Sequence, residues 1–348
     1  MTAWPAHYTS NAMTALLVVL AAWAAWRARR NEFWRQFVRR LARRRLAAAS
    51  MAVFAFFVLV ALLDSVAWRD PADPANASAR GVAAYKPRTL VDRLFPPDFE
   101  EDAYSAPLAA ATFYEGRPLR HPGRHLLGTT VIGRDTLHQT LKGFRPAMII
   151  GAFTTLLVIP IALGMGVLAG YFGRRIDDLV QYIYSTLASI PNILLLIALI
   201  LVIGRGTIQV CIALGVSTWV GLCRLIRAET LKLRELEYVQ AARALGLGHG
   251  RILYRHIVPN LFHIILISFV LRFSNLVLNE SILSYFGVGV EGSFGAMIVL
   301  ARDELAREPV IWWNLAGAST ALFLLVLTAN VLGDAVRDLL DPRIRSAE

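Results

Sequence analysis

Long apolar runs separated by short polar segments dominate the pattern of this 348-residue chain. A bilayer requires about 20 apolar residues for one helical span, and several runs reach that length. The pattern predicts a first full span over residues 46–68 and a transmembrane domain over residues 142–343, which together form an all-α integral membrane protein. The spans expected in that domain are residues 147–172, 179–203, 207–226, 260–286 and 311–332.

Single residues add three expectations for these spans. The first span contains four glycines, which let helices approach closely in lipid: Gly151, Gly164, Gly166 and Gly170. Pro191 and Asn192 are expected to bend the second span. Trp312 and Trp313 are expected at the membrane interface, where the last span begins.

Three further segments complete this topology. Residues 1–26 contain a shorter apolar run followed by arginines, whereas a signal peptide carries its positive charge before the run. We therefore predict an additional N-terminal transmembrane helix with its N-terminus outside. Residues 69–141 are polar and rich in proline, which indicates an extracytoplasmic loop or small cap. The loop over residues 287–309 is also predicted outside, with a solvated mixed-charge helix that includes Arg302, Asp303, Glu304 and Arg307.

Residues 27–45 carry nine arginines, with Trp34, Phe37, Val38 and Leu41 at helical spacing between them. This pattern predicts an amphipathic helix on the inner membrane surface, with its arginines on lipid phosphates. Nucleic-acid binding is the alternative for such a basic segment. Hydrophobic residues make up 56% of the chain, its mean hydropathy is +0.51, and its formal charge is +11. The basic residues cluster beside apolar runs, as on cytoplasmic flanks, so the charge indicates topology rather than nucleic-acid binding.

A polar loop over residues 227–259 separates two of the spans, and counting crossings places it in the cytoplasm. Ala241 and Ala242 keep one helical surface small, and Gly246 is placed to end that helix as a left-handed C-cap. Pro259 is predicted to start the next helix, at a position where a missing N–H costs little.

The span over residues 260–286 is the least apolar of the set. Its polar residues fall within about a third of the helical circumference at 100° per residue, and they are Ser268, Arg272, Asn275, Asn279 and Glu280. Polar groups inside a membrane are costly and usually face a cavity or the interior of a bundle. We interpret this face as a candidate translocation pathway. In the alternative interpretation, Arg272 and Glu280 pair with each other or with a partner subunit and hold helices together.

The sequence offers no chemistry of its own for driving transport. It contains no GxxxxGK[ST] phosphate-binding loop, no metal-ligand spacing and no set of Ser, His and acid residues. Cys211 and Cys223 are separated by about 18 Å if they lie on one helix, too far for a disulfide. We expect no catalytic residue, metal or bound cofactor in this chain, so its energy source must lie in another subunit.

Several motifs resemble those of a known family. The Ala-Ala pair, the Gly four residues later and the Pro thirteen residues after that resemble the EAA loop of ABC-transporter permeases. RALGLGHGRILYRHIVPN, HLLGTTVIGRD, ESILSYFGVGV and GDAVRDLLDPR resemble the peptide and nickel branch of these permeases. The resemblance implies a six-helix importer core whose loop docks on a cytoplasmic ATPase. The residues assigned to this ATPase-coupling loop are Tyr238, Gln240, Ala241, Ala242, Leu245, Gly246, Arg251, His256 and Pro259.

The resemblance further implies a permease subunit of an ATP-driven importer for dipeptides, oligopeptides or a related small solute. Its place would be the bacterial cytoplasmic (inner) membrane, with the C-terminus in the cytoplasm. The implied partners are a second homologous permease, two ABC ATPase subunits that bind ATP and Mg, an extracytoplasmic solute-binding protein and membrane lipid.

Three alternatives stay open from the sequence. The first is a permease of the same type for nickel or another non-peptide solute. The second is a stand-alone secondary transporter or channel, which predicts ionisable relays or an inverted repeat. The third is a membrane scaffold or receptor subunit, which would leave the polar face of the span over residues 260–286 unexplained.

Overall fold

The computed structural model of the protein describes residues 30–68, 88–95, 100–101 and 103–340, together with positions 11, 14, 15, 19, 26 and 27. The predicted N-terminal helix therefore lies largely outside the described residues, as does the end of the chain after residue 340. The described part consists of helices and one short two-stranded ribbon. The prediction of an all-helical membrane protein is confirmed.

The elements follow the chain in a simple order. The first part contains α1 Glu32–Arg43, α2 Arg45–Ser65, the antiparallel strands β1 Ala67–Trp68 and β2 Arg88–Thr89, and α3 Leu90–Leu94. The membrane part continues with α4 Thr136–Phe172, α5 Arg174–Ala188, α6 Asn192–Ile203 and α7 Thr207–Arg234. The remaining helices are α8 Glu237–Ala244, α9 His249–Ile252, α10 Phe262–Tyr285, α11 Phe294–Glu304 and α12 Trp313–Leu340.

Five helical segments in the described part are long and apolar enough to cross a membrane, with α9 and α10 forming one of them. The helices α5 and α6 would make a sixth span if they act together, although they are bent by 89°. Pro191 follows the last turn of α5, and a proline removes a helical hydrogen bond and restricts the residue before it. A bend at Pro191 was predicted, and the structure confirms it.

Clustering of contacts divides the chain into two compact units. The first comprises Met1–Met148 and Gly292–Leu325, and the second comprises Ile149–Glu291 and Val326–Glu348.

In the second unit, α4 and α7 approach closely at two glycines. A Cβ at Gly166 would lie 2.8 Å from the carbonyl oxygen of Cys223, and one at Gly170 would lie 2.6 Å from Cβ of Thr230. Small residues permit such contact between helices in lipid, as the glycine spacing predicted.

In the first unit, the segment that precedes α4 forms a folded cap around His125. This imidazole is buried, and its Nδ1 lies 2.8 Å from Asp135 and its Nε2 lies 3.3 Å from Glu101. Burial opposes a charge on the ring, but the hydrogen bonds to Asp135 and Glu101 raise the pKa of His125. Asp135 also accepts the backbone N–H of His138 at 2.9 Å and so caps the start of α4. The helix begins at Thr136, eleven residues before the predicted span, because this cap starts it outside the apolar run.

Two expectations for the segment around α11 were wrong. Glu304 is not on a solvated surface, because its side chain is buried and accepts hydrogen bonds from Tyr104 and Asn314. Trp313, expected at the membrane interface, is buried in protein and donates its indole N–H to the carbonyl of Thr129 at 3.0 Å. Each of these partners apart from Asn314 is distant in sequence, so no local pattern indicated the burial.

Candidate functional site

The turn at Gly246 ends α8 with a hydrogen-bonded C-cap. Gly246 has a φ of +78°, its N–H donates to the carbonyl of Arg243 at 3.0 Å, and the N–H of Leu247 donates to Ala242 at 3.1 Å. These two bonds form the Schellman arrangement, in which a residue of left-handed conformation closes the helix. The predicted C-cap is confirmed. The space around Gly246 is open to 4 Å, so its requirement for glycine comes from the backbone rather than from packing.

The second arm of the loop is more continuous than predicted. The helix resumes at His249, passes through a π turn over Leu253–Ile257 and a 3-10 turn over Val258–Leu261, and becomes α10. Pro259 lies inside this run rather than starting a separate helix, so that part of the prediction was wrong. The altered turns accommodate a residue that cannot donate a backbone hydrogen bond.

One face of the loop is anchored in the core of the second unit. Val239, Ile252, Ile257 and Leu261 are fully buried in one apolar cluster, and Ala242 lies in the same cluster. Because both arms of the loop contribute to this cluster, the packing of their buried apolar side chains fixes the bend between them.

The other face of the loop is exposed. Leu245 is 83% exposed and Tyr254 is 81% exposed, which is unusual for large apolar side chains. Of the predicted coupling residues, Ala242 is buried and His256 is half-buried, whereas the exposed ones are Tyr238, Gln240, Ala241, Leu245, Gly246, Arg251 and Pro259. Tyr254 was not among the predicted residues, although an aromatic residue in a basic loop was the signal that could have identified it.

Polar contacts fix the loop to the ends of α4, α5 and α7. The hydroxyl of Tyr171 lies 2.9 Å from Nδ1 of His249, and the guanidinium of Arg243 lies 5.2 Å from the centre of the Tyr171 ring. Nη2 of Arg227 donates to Asp177 at 2.7 Å, and Nε of the same guanidinium donates to its other oxygen. This bidentate pair is the strong form of an arginine–carboxylate contact, and it ties the start of α5 to α7, the helix that leads into the loop.

A cavity of about 360 Å³ lies beside α10 in the same unit. Four of the five predicted pathway residues line it, together with Leu271, Leu276 and Thr218 of α7: they are Ser268, Arg272, Asn275 and Asn279. Nη1 of Arg272 donates to the carbonyl of Thr218 at 2.9 Å. The predicted polar face therefore borders an open volume, and its arginine is held by a backbone carbonyl of α7. Thr218 was not predicted, although a polar Ser217–Thr218 pair within an apolar span was a signal for it.

Glu280 lies apart from these residues. Its side chain is buried, and one carboxylate oxygen accepts the hydroxyl of Ser284 at 2.7 Å and the backbone N–H of Val290 at 3.1 Å. These bonds tie the end of α10 to the loop that follows it.

Two family models match the chain. The model described as binding-protein-dependent transport system inner membrane component matches residues 162–346, which include the loop over residues 237–260 and the cavity beside α10. The model described as N-terminal TM domain of oligopeptide transport permease C matches residues 32–87.

Individual relatives agree with these matches. The chain is 34% identical over 225 residues to the glutathione transport system permease protein GsiD of Pectobacterium atrosepticum, covering 64% of this chain and 74% of the relative. It is 33% identical over 225 residues to the dipeptide transport system permease protein DppC of Bacillus subtilis, covering 64% of this chain and 69% of the relative. The oligopeptide transport system permease protein OppC of Haemophilus influenzae is 28% identical over 315 residues, with 90% of each chain covered.

The family description places such a component in the inner membrane, within a binding-protein-dependent transport system, which implies an ATPase and a binding protein as partners. The resemblance identified in the motifs is confirmed. The chain therefore belongs to the family of inner membrane components of binding-protein-dependent transport systems, as a multi-pass permease whose N-terminal part is that of an oligopeptide permease C.

Proposed function

We propose that this chain is one of two different permease subunits of an importer that carries small peptides or chemically related solutes inward. Relatives named as permeases for dipeptides, oligopeptides and glutathione support peptides as the solute class. The remaining partners in this proposal are two ABC ATPase subunits, which bind ATP and Mg, and an extracytoplasmic solute-binding protein.

The observation that carries the proposal is the two-sided construction of the loop over residues 237–260. Its inner face is anchored by fully buried apolar residues, while Leu245 and Tyr254 are more than 80% exposed on the other side. Exposed apolar side chains rimmed by polar residues are typical of protein interaction sites. A loop that is anchored by one face and exposes apolar side chains on the other is suited to bind an ATPase and to transmit its movement to the helices.

The cavity beside α10 is proposed to be part of the translocation pathway. Its wall combines hydroxyl and amide groups with one arginine, and the arginine is held by the Thr218 carbonyl. Amide and hydroxyl groups can exchange hydrogen bonds with a peptide backbone, and the guanidinium favours a carboxylate. Polar residues of this kind inside a membrane are expected where water or solute passes.

The substitution Leu245→Asp tests the coupling proposal. Because Leu245 is 83% exposed, the change leaves the fold intact but places a charge in the contact with the ATPase. We expect loss of peptide-dependent ATPase stimulation and of uptake by at least about tenfold, since a buried hot-spot residue contributes 2 kcal/mol or more to an interface. The measurement is uptake of labelled dipeptide into proteoliposomes that contain the complete complex.

Leu94→Asp is the matched control, because Leu94 is 71% exposed in α3, far from the loop in sequence. Its uptake should equal that of the unchanged protein. Normal uptake by Leu245→Asp would contradict the assignment of this loop to coupling and would favour a stand-alone carrier.

A further inference from the structure

A second cavity lies in the first unit, next to the cap around His125. It encloses about 310 Å³, which is within the range of pockets for small organic molecules. Its walls come from the loop at Thr130, the start of α4, the end of α11 and the start of α12. The proposed coupling and translocation roles make no use of this cavity.

A buried carboxylate is part of its wall. Glu304 is 7% exposed, and its two oxygens accept hydrogen bonds from the hydroxyl of Tyr104 at 2.8 Å and the amide of Asn314 at 2.7 Å. Asn314 in turn accepts the hydroxyl of Thr136 at 2.5 Å. The carboxylate is thus oriented by three side chains that belong to different segments.

The two side chains that donate hydrogen bonds to the Glu304 carboxylate are neutral. Arg307 also lines the cavity, with its guanidinium 5.7 Å from the centre of the Tyr104 ring, but within the described part of the chain Glu304 forms no ion pair with it or with another basic side chain. A buried carboxylate without a cation is costly, and a carboxylate can accept about four hydrogen bonds, of which two are used here. Burial, the hydrogen bond to Glu304 and its charge raise the pKa of Tyr104, so this phenol remains a donor. The site therefore has unused capacity for a positively charged donor.

The other residues of the cavity wall indicate which kind of molecule could carry this positively charged group. Val131, Ile132 and Leu300 line the cavity and are each more than half exposed. The hydroxyl oxygen of Thr130, which also belongs to the lining, is buried without a hydrogen-bond partner. A hydrated metal ion would leave the apolar wall unused, whereas an alkylammonium ion would cover it.

We propose that this cavity binds a small organic ammonium ion, with its ammonium group on the Glu304 carboxylate and its apolar part against Val131, Ile132 and Leu300. The amino end of a delivered solute has this chemistry. That link to transport rests on the proposed function, whereas the binding itself does not.

The test uses hexylammonium as the probe and the purified full-length chain in lipid nanodiscs. Binding should be saturable and should raise the thermal unfolding midpoint, because a ligand that binds only the folded state stabilises it. Hexan-1-ol, which has the same apolar body without the charge, should bind at least about tenfold more weakly, since charge-assisted hydrogen bonds are about twice as strong as neutral ones. Equal stabilisation by the alcohol would overturn the proposal.

Two substitutions locate the site. Glu304→Gln keeps the size of the side chain but removes its charge, and it should weaken hexylammonium binding by about tenfold or more. The matched control is Glu308→Gln, in an exposed glutamate four residues later, which should bind hexylammonium unchanged. Unchanged affinity in Glu304→Gln would refute the proposal.

A rim substitution keeps the test decisive if Glu304→Gln does not fold. Leu300 is 72% exposed and lies four residues before Glu304 on α11, so Leu300→Lys would supply a tethered ammonium group. This variant should lose hexylammonium binding, and Leu300→Gln should retain it within about threefold. Retained binding in Leu300→Lys would contradict the proposal. Neither measurement needs an ATPase, so failure here is distinct from failure of the coupling test with Leu245→Asp.

Discussion

His125 is the buried centre of the cap that precedes α4. Its two ring nitrogens contact Asp135 and Glu101, and Glu101 also accepts the backbone N–H groups of Arg120 and His121. Burial raises the pKa of Glu101, but these donors outweigh it and lower the pKa below the ordinary value of 4.5. The cap thus depends on opposite charges that form in different pH ranges.

The stability of the cap should therefore vary with pH. The raised pKa of His125 gives stability that is complete below its ordinary value of 6.5 and is lost as pH rises through the folded-state value. The lowered pKa of Glu101 gives stability that is complete above 4.5 and is lost at lower pH. We expect the protection of backbone amides in residues 103–135, measured relative to their intrinsic exchange rate at each pH, to be greatest between about pH 5 and 6 and to fall as pH increases further.

His125→Gln is the corresponding variant. It should abolish the decline above pH 6.5 and destabilise the cap by about 3–5 kcal/mol, because it leaves buried carboxylates without their cation. His263, which lies in α10 of the other unit, offers a control through His263→Gln. A decline that persists in His125→Gln would show that another group titrates.

At the scale of elements, glycines decide how closely α4 and α7 can pack. Gly166 and Gly170 face backbone and side-chain atoms of α7 at less than 3.0 Å from a Cβ position, whereas Gly164 has nothing within 4 Å. Three glycines of one helix therefore have different roles that the sequence alone does not distinguish.

Alanine substitutions separate these roles. Gly166→Ala and Gly170→Ala should each destabilise the protein by about 1–3 kcal/mol, because the added carbon forces the helices apart. Gly164→Ala should be neutral or stabilising by up to about 1 kcal/mol, since alanine is the better helix former. Unfolding by SDS in mixed micelles measures both effects. Equal midpoints for all three variants would contradict the close packing of α4 on α7.

The sequence was most informative where local geometry decides the structure. Gly246 could be identified as a C-cap because a positive φ at the end of a helix is a local requirement. Pro259 was misjudged because neighbouring turns can widen and tighten around a proline, and the surrounding contacts determine whether they do. Spans were found by hydropathy, but the earlier start of α4 depends on Asp135 and the cap around it.

The candidate sites also contain residues that could be predicted from local sequence and residues whose positions depend on distant contacts. The polar face of α10 follows from helical periodicity, so four members of the cavity wall could be predicted. The separate position of Glu280 depends on Val290, in the loop beyond the helix. The cluster around Glu304 could not be predicted, since Tyr104 lies 200 residues away in sequence.

At the scale of the whole molecule, the chain is an inner membrane component that works with an ATPase and a binding protein. Its two cysteines, Cys211 and Cys223, are fully buried. A maleimide that cannot cross membranes should therefore react only with cysteines introduced at exposed positions, which provides a clean measure of orientation.

The predicted topology places Leu94 outside and Leu245 in the cytoplasm, and both are more than 70% exposed. We expect Leu94→Cys to be labelled in right-side-out vesicles and Leu245→Cys to be labelled only in inside-out vesicles. Labelling should differ by at least about tenfold between the two preparations, because the bilayer excludes a charged reagent. The opposite pattern would invert the topology. The unsubstituted chain serves as the control for background labelling.

The uninterrupted run from His249 to Tyr285 has a mechanical consequence. It contains 37 residues, about 55 Å of helix, and Arg272 lies 272 − 249 = 23 residues, or about 35 Å, from its His249 end. The loop over residues 237–260 and the cavity wall thus share one helical segment, which includes the π and 3-10 turns, rather than lying on two helices joined by a non-helical linker. A tilt of about 5° about the middle of such a rod displaces each end by about 2 Å. That is enough to change which hydrogen bonds the wall of the cavity can make.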